Sequence, residues 1–306
     1  VTVPLPFRDG LAPLRHRLPH GEHPATTLEY LESVLPGDAW RATMAAGEVV
    51  DERGRPYSED TAYRAGAVVH FHRIPEPEVP VPFEMEILHV DDAIVVVDKP
   101  HFLATIPRGR HITETATVRL RRLFDEPDIT PAHRLDRATA GVLMFTRAAR
   151  FRRAYQDLFV DGSVDKEYEA VAGFDPGLTF PRSVESRIVK EHGVMTAHEE
   201  PGEPNSETRV EIIERVGDAA RYRLFPRTGK THQLRLHLSS LGIPIHGDPY
   251  YPTFTSVAPD DFSTPLQLLA RRLSFTDPLT GDPRTFRSRR ELRLVLFRPA
   301  SGLPAT

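Results

Sequence analysis

At 306 residues the chain exceeds the usual size of one domain, so a large domain with a small appendage fits better than a single module. Its 40% hydrophobic and 27% charged residues are ordinary for a soluble globular protein, and the absence of cysteine excludes disulfides, thiolate metal ligands and thiol nucleophiles. A net charge of −4 argues against wholesale electrostatic binding of nucleic acid, although Arg-rich stretches at 107–153, 221–235 and 271–298 can form a basic face within that acidic average.

Residues 1–26 contain Pro, Gly and His without periodicity and are expected as an extended arm. They lack the basic-then-apolar pattern of a secretory signal, and no apolar run is long enough to span a bilayer, so a cytoplasmic chain without a membrane partner is expected. From Thr27 the spacing of Leu28, Tyr30, Leu31, Val34 and Leu35 predicts a helix, with Thr26 or Thr27 as N-cap and Pro36-Gly37 as its stop. A short helix over 39–46, a turn at Gly47 and a strand over 67–71 complete a small unit at 27–73. Residues 74–82 are Pro-rich, a stiff extended linker, and 83–306 form the larger domain.

Beyond the linker, Met85–Val90 and Ala93–Val97 on either side of Asp91-Asp92 predict a β-hairpin that leads to Lys99-Pro100. Val118, Leu120, Leu123 and Phe124 predict a helix with Thr113 and Glu114 at its start. Arg119, Arg121 and Arg122 lie on its wet side, toward solvent or RNA phosphate. Val142–Phe145 reads as a short buried strand. A helix over 149–159 presents Phe151, Tyr155, Leu158 and Phe159 and ends at Gly162, and a strand over 165–171 carries Tyr168. The span 176–204 is expected as a hairpin or loop insertion, followed by an antiparallel pair, 207–216 and 220–225. Leu234, Leu238 and Leu241 predict a helix over 230–241 with Thr228 near its N-cap, which would set Lys230 in the first turn as part of an anion site. The fold class is α+β: a mixed, largely antiparallel sheet with flanking helices, plus a small N-terminal α/β appendage. No GxGxxG or Walker sequence and no internal repeat is present.

Two stretches carry chemistry. The first, His133-Arg134-Leu135-Asp136-Arg137-Ala138-Thr139-Ala140-Gly141, sets a carboxylate between two guanidinium groups, which should favour its charged form. That suits a nucleophile or a base; a surface ion pair is the plainer alternative. The second is Arg227-Thr228-Gly229-Lys230-Thr231-His232-Gln233-Leu234-Arg235-Leu236-His237. His232, His237 and His246 invite a metal hypothesis, but the first two are not spaced i, i+4 and no carboxylate sits at ligand spacing, so no metal is expected.

Together with Lys166-Glu167-Tyr168-Glu169-Ala170, these stretches resemble the signatures HRLDxxTSG, KxYxA and TGRxHQLRxH of the RluA-type RNA pseudouridine synthases, over roughly residues 83–290. Gly47-Glu48-Val49-Val50 and Arg64-Ala65-Gly66-Ala67-Val68-Val69 likewise resemble a degenerate copy of the small RNA-binding domain named after ribosomal protein S four. Its expected basic residues are sparse here, so a structural role and RNA binding both stay open. The resemblance implies an isomerase needing no cofactor, which turns uridine into pseudouridine in ribosomal or transfer RNA. By it, Asp136 is the nucleophile, Tyr168 stacks on the uracil and Arg235 pairs with Asp136; on residue type alone Tyr168 could equally be a core tyrosine. Whether the aspartate attacks the ring, attacks the sugar carbon or assists elimination stays open.

Arg134 is the side chain expected to fill the space vacated by an extruded base, which favours a uridine in a loop or bulge. Arg137 and Lys230 are expected to bind substrate, and His232 and Gln233 to brace the site. A monomer is the expected state. Departures from the pattern are Ala140 for Ser, Lys230 for Arg, Leu269 for His, and a 101–107 stretch without the usual Gly. A non-catalytic RNA-binding or RNA-folding factor on the same scaffold is the alternative, and a metal-assisted hydrolase is a weaker third reading.

Overall fold

In the computed structural model, which describes residues 4–35, 39–72 and 75–293, the chain divides into two units. The first groups Val1–Glu78 with Pro107–Thr113 and Thr117–Pro127; the second groups Val79–Ile106 with Glu114–Ala116 and Asp128–Thr306. The Pro36-Gly37 stop, the Arg73-Ile74 edge of the linker and the end of the expected 83–306 domain lie outside the described residues.

The first unit contains β1 (Leu14–Arg17), α1 (Thr27–Val34), α2 (Trp40–Ala45), β2 (Val49–Val50) and β3 (Val68–Phe71), with an antiparallel sheet in the order β1-β3-β2. Helix α1 starts where its sequence dictates. Thr26 Oγ1 accepts from the Glu29 amide and the Glu29 carboxylate accepts from the Thr26 amide, each at 3.2 Å, a reciprocal capping box. Leu28, Leu31, Trp40, Met44, Val69 and Phe71 form the core beneath.

Two expectations fail in this unit. Within the supposed arm, Leu14–Arg17 is a strand, because β3 offers it a free edge; a run of four residues, mostly polar, carries no such signal alone. On α3 (Ala116–Phe124) Arg122 is exposed, in keeping with a wet side, and pairs with Asp9 at 2.6 Å, while the half-buried Arg121 lies 5.0 Å from the Phe7 ring and donates to the Gly10 carbonyl. Leu123, assigned to the apolar face, is 64% exposed. Other arginines here are also engaged by acids, Arg8 by Glu48, Arg15 by Glu52 and Arg55 by Asp51.

The second unit is built on eleven strands: β4 (Glu86–Val90), β5 (Ile94–Lys99), β6 (Thr130–Pro131), β7 (Ala140–Thr146), β8 (Asp165–Gly173), β9 (Arg182–Val189), β10 (His198–Glu200), β11 (Ser206–Val216), β12 (Ala219–Pro226), β13 (Leu268–Thr276) and β14 (Pro283–Arg287). Their main order is β10-β9-β11-β12-β8-β13-β7-β5-β4, with β14 on β13 and β6 on β7. Only the β13–β7 pairing is parallel, so the sheet is mixed and largely antiparallel, as its hairpin-rich sequence requires. The 176–204 insertion holds the β9–β10 hairpin that extends one edge.

Helix α4 (Ala149–Val160) buries Tyr155, with Phe151, Leu158 and Phe159, against Val96, Val142 and Met144. Helix α5 (Gln233–Ser240) seats Leu234 and Leu238 among Ala170, Tyr222, Leu224 and Leu268. Between β7 and β8, β13 inserts from far along the chain, and Gly141 is the residue that lets it in. Its φ is +113°, and a Cβ there would lie 2.3 Å from the Ala270 carbonyl oxygen. This close crossing sets the end of the Asp136 loop against β13, whose Ala270 is in register with Gly141 on one side and with Tyr168 of β8 on the other.

Candidate active site

The Asp136 carbonyl accepts from the Thr139 amide at 3.1 Å, closing a turn that ends directly in β7. Side chains from the end of β5 and the loop after it hold this turn. Thr105 Oγ1 donates to the Leu135 carbonyl at 2.7 Å and accepts from the Leu135 amide, Lys99 Nζ reaches the Arg137 carbonyl, and His101 Nδ1 lies 2.8 Å from the Ala138 carbonyl. A carbonyl can only accept, so His101 carries its proton on Nδ1 in the neutral ring. Burial lowers its pKa to about 4. His133, first residue of the motif, is also neutral, lowered by burial to about 3, and its Nε2 accepts from the Met144 amide. The Leu135 amide and the carbonyls of residues 135–138 are thus anchored, while the Asp136 side chain stays 35% exposed.

Helix α5 supplies the cation. Arg235 Nη1 stands 3.5 Å from Asp136 Oδ2, with the Arg235 side chain only 2% exposed. From behind, Asp248 takes Arg235 Nε at 2.7 Å and Nη2 at 2.5 Å. Burial opposes the charge of Arg235, but the Asp248 carboxylate outweighs it and the guanidinium is held more strongly protonated than usual. Asp248 Oδ1 also accepts the Tyr250 and Tyr251 amides, so one carboxylate fixes both the arginine and the turn beneath it. Gly247 makes that turn possible: its φ is +73°, and a Cβ would lie 2.5 Å from the Pro265 carbonyl.

His232, the N-cap of α5, has a left-handed backbone at φ +58°, uncommon for a residue with a side chain and concentrated at functional sites. The conformation aims Nε2 at Asp136 Oδ2, 3.8 Å away, while Nδ1 lies 2.9 Å from the Tyr251 hydroxyl. Burial lowers the His232 pKa, against the pull of Asp136. Gln233 Nε2 donates to the Glu207 carbonyl and to Thr208 Oγ1; its Oε1 accepts from Thr228 Oγ1 and the Lys230 amide.

The expected helix start is therefore corrected. Helix α5 begins at Gln233, Thr228 does not cap it, and Lys230 lies exposed in the preceding turn, outside the helix dipole's first turn. The physical reason is the Gln233 side chain, which takes up the 228–230 turn and leaves the helix to start later. The pairing of Asp136 with Arg235 stands as the family motifs implied. The cation paired with the carboxylate comes from α5, while Arg134 is exposed and Arg137 lies over the Phe102 ring at 5.7 Å. Phe102 itself has φ +66°, so the 101–107 loop keeps a left-handed position without a glycine.

Tyr168 sits in the centre of β8, opposite Leu224 of β12 and Ala270 of β13. Burial, and secondarily the charge of Asp136, raises its pKa, so the phenol is neutral at physiological pH. His237 points away from this cluster and lies 3.1 Å from Ser186 Oγ and Ser206 Oγ. Sequence reasoning missed Lys99, His101 and Thr105, which support the turn, and Asp248, Tyr250 and Tyr251, which support Arg235. The buried Asp248 after Gly247, a short polar stretch amid apolar runs, was the available signal.

A profile described as RNA pseudouridylate synthase matches residues 93–240, which include both motifs. The dual-specificity RNA pseudouridine synthase RluA of Escherichia coli is 33% identical over 216 residues, covering 66% of this chain and 91% of RluA. An uncharacterised RNA pseudouridine synthase of Synechocystis is 27% identical over 216 residues, covering 70% of this chain and 74% of that protein. Among solved structures, human RNA pseudouridylate synthase domain containing 4 superposes with a TM-score of 0.53 at 26% identity, covering 68% of this chain and 89% of that one. The motif residues thus converge in a fold and a sequence shared with these enzymes, and the chain belongs to the RluA-type family of RNA pseudouridine synthases, isomerases that act on RNA.

Proposed function

We propose that Asp136 is the nucleophilic carboxylate of this isomerase, that Arg235 holds it in place, and that Tyr168 stacks on the uracil. The observation that carries this reading is the arrangement around Asp136: its carboxylate is reachable from solvent, yet its turn is anchored on both sides and it faces a buried arginine fixed from behind. A group that must act on one atom of a substrate needs this combination of access and rigidity.

The isomerisation breaks the N1–C1′ bond, rotates the base and forms a C5–C1′ bond, with loss of the C5 hydrogen. Atoms balance without an oxidant, so the site must supply a positioned carboxylate, a surface for the detached uracil and a route for one proton. Tyr168, neutral and half-buried beside Asp136, suits the surface and can donate a hydrogen bond; it is not poised as a phenolate base. His232 and Gln233 brace the site, and the exposed Arg134 takes the place of the extruded base, with Arg137 and Lys230 contributing to RNA binding. The substrate is a uridine in a loop or bulge of ribosomal or transfer RNA, where extrusion costs least. In this proposal the enzyme acts as a monomer in the cytoplasm.

The test is a transcriptome-wide pseudouridine map in cells lacking the gene, complemented with the native chain or with Asp136→Asn. Isomerisation leaves mass unchanged, so the readout is chemical modification of pseudouridine with reverse-transcription stops. Sites restored by the native chain and not by the variant identify the substrate and show that the Asp136 carboxylate is required; equal restoration by both refutes the role of Asp136.

A further inference from the structure

Outward from Asp136, the aromatic groups form a line. His232 lies next to the carboxylate, and the Tyr250 ring sits 5.4 Å from the His232 ring and 4.7 Å from the Arg235 guanidinium. Beyond it, the Phe254 ring stacks on Tyr250 at 5.8 Å with 25° between planes. The inner end of this line is fixed: the Tyr250 amide donates to Asp248 Oδ1 at 2.8 Å, the carboxylate that also holds Arg235. The outer end is fixed by its turn, closed by the Thr255 amide donating to the Pro249 carbonyl at 2.7 Å. Phe254 is nevertheless 54% exposed. A lone exposed phenylalanine is unremarkable on a protein surface. One held by a closed turn, stacked in register with a ring that abuts Arg235, presents a π-face continuous with the site where RNA must enter.

We propose that Tyr250 and Phe254 form a stacking step for the base of a nucleotide adjacent to the target uridine. The inference rests on the reading of Asp136 as the reacting group. Once a uridine leaves its stack, its neighbour loses a partner on one side, and aromatic side chains are the common replacement because every base has a π-face. The step therefore holds the flanking nucleotide without reading its identity, and contributes to binding rather than to bond breaking. A protein partner is a poorer fit, because a patch of this size falls far below the area of a stable interface.

The test uses tritium release from total RNA of cells that lack the gene and were grown on [5-³H]uridine, since formation of the C5–C1′ bond frees the C5 hydrogen whatever the RNA. Phe254→Ala is expected to raise the half-saturating RNA concentration about tenfold, the loss of one base stack, with the limiting rate largely recovered at saturating RNA. Phe254→Trp should restore native affinity, whereas Phe254→Leu, apolar but without a π-face, should not; a merely structural role would be rescued by both or by neither. If Phe254→Ala matches the native chain, or Leu rescues as well as Trp, the stacking step is wrong while the enzyme reading stands. Absence of release by the native chain overturns both.

Discussion

Replacing Asp248 by Asn removes the charge behind Arg235 while leaving the shape of the site nearly unchanged. The pair is buried, with side chains 2% and 1% exposed, and joined through two bonds of 2.5 and 2.7 Å. Deleting one partner of such a pair costs about 3–5 kcal/mol, because the other ion stays out of water without its counter-charge. Asp136 at 3.5 Å offers partial compensation, but its side chain is one-third exposed and its attraction is screened, so the loss should be about 3 kcal/mol. The Tyr250 and Tyr251 amides can still be accepted by the amide oxygen of Asn, which assigns the loss to charge rather than to the turn. The chain's one tryptophan, Trp40, belongs to the N-terminal unit, so urea unfolding should be followed by circular dichroism of the large sheet instead of by fluorescence. Combining Asp248→Asn with Arg235→Met removes both charges and should recover much of the loss in stability, though not activity. A single-variant loss below about 1 kcal/mol, or a double variant no more stable than the single one, would refute the argument.

Two further substitutions probe the supports of the Asp136 turn. Burial lowers Lys99 to about 7, against the pull of Asp136 and aided by Arg290 and Arg137. Between that value and the ordinary lysine pKa of about 10.4 the unfolded chain binds the proton and the folded chain does not, so the penalty is complete below pH 7 and lifts as pH rises through the window. The stability of the native chain relative to Lys99→Met should therefore climb by about 3 kcal/mol between pH 7 and 10 in urea titrations; a flat difference contradicts the burial argument. Gly141→Ala forces a Cβ to 2.3 Å from the Ala270 carbonyl at a φ of +113°, and should destabilise the sheet by about 3 kcal/mol or more, seen as a lower Tm or loss of soluble protein.

Short-range signals were legible wherever they were redundant. Thr26 with Glu29 marks a helix start, Asp91-Asp92 between apolar runs marks a hairpin, and Leu234 with Leu238 marks the buried face of α5. Arg235 and Asp136 could be named as partners through the family motifs, and they stand 3.5 Å apart. The beginning of α5 was misjudged because Thr228 has the chemistry of an N-cap, and only the strand beneath it shows that Gln233 commits its amide there instead. The partners of Arg121 and Arg122 on α3 were hidden for a related reason: Phe7, Gly10 and Asp9 lie more than a hundred residues earlier.

The class of fold, the order of the hairpins and helices named above, and the residues that carry the family chemistry were legible in the chain, because periodicity, capping and motif are properties of neighbouring residues. The tertiary structure alone decided what surrounds Asp136. Lys99 and Thr105 reach its turn from another strand and loop, Asp248 meets Arg235 from beyond the helix, and β13 passes between β7 and β8 through the space left at Gly141. Each of these depends on a close approach between distant segments, and the energy that selects it, burial of a charge with its partner or of a carbonyl with its donor, exists only once the chain has folded.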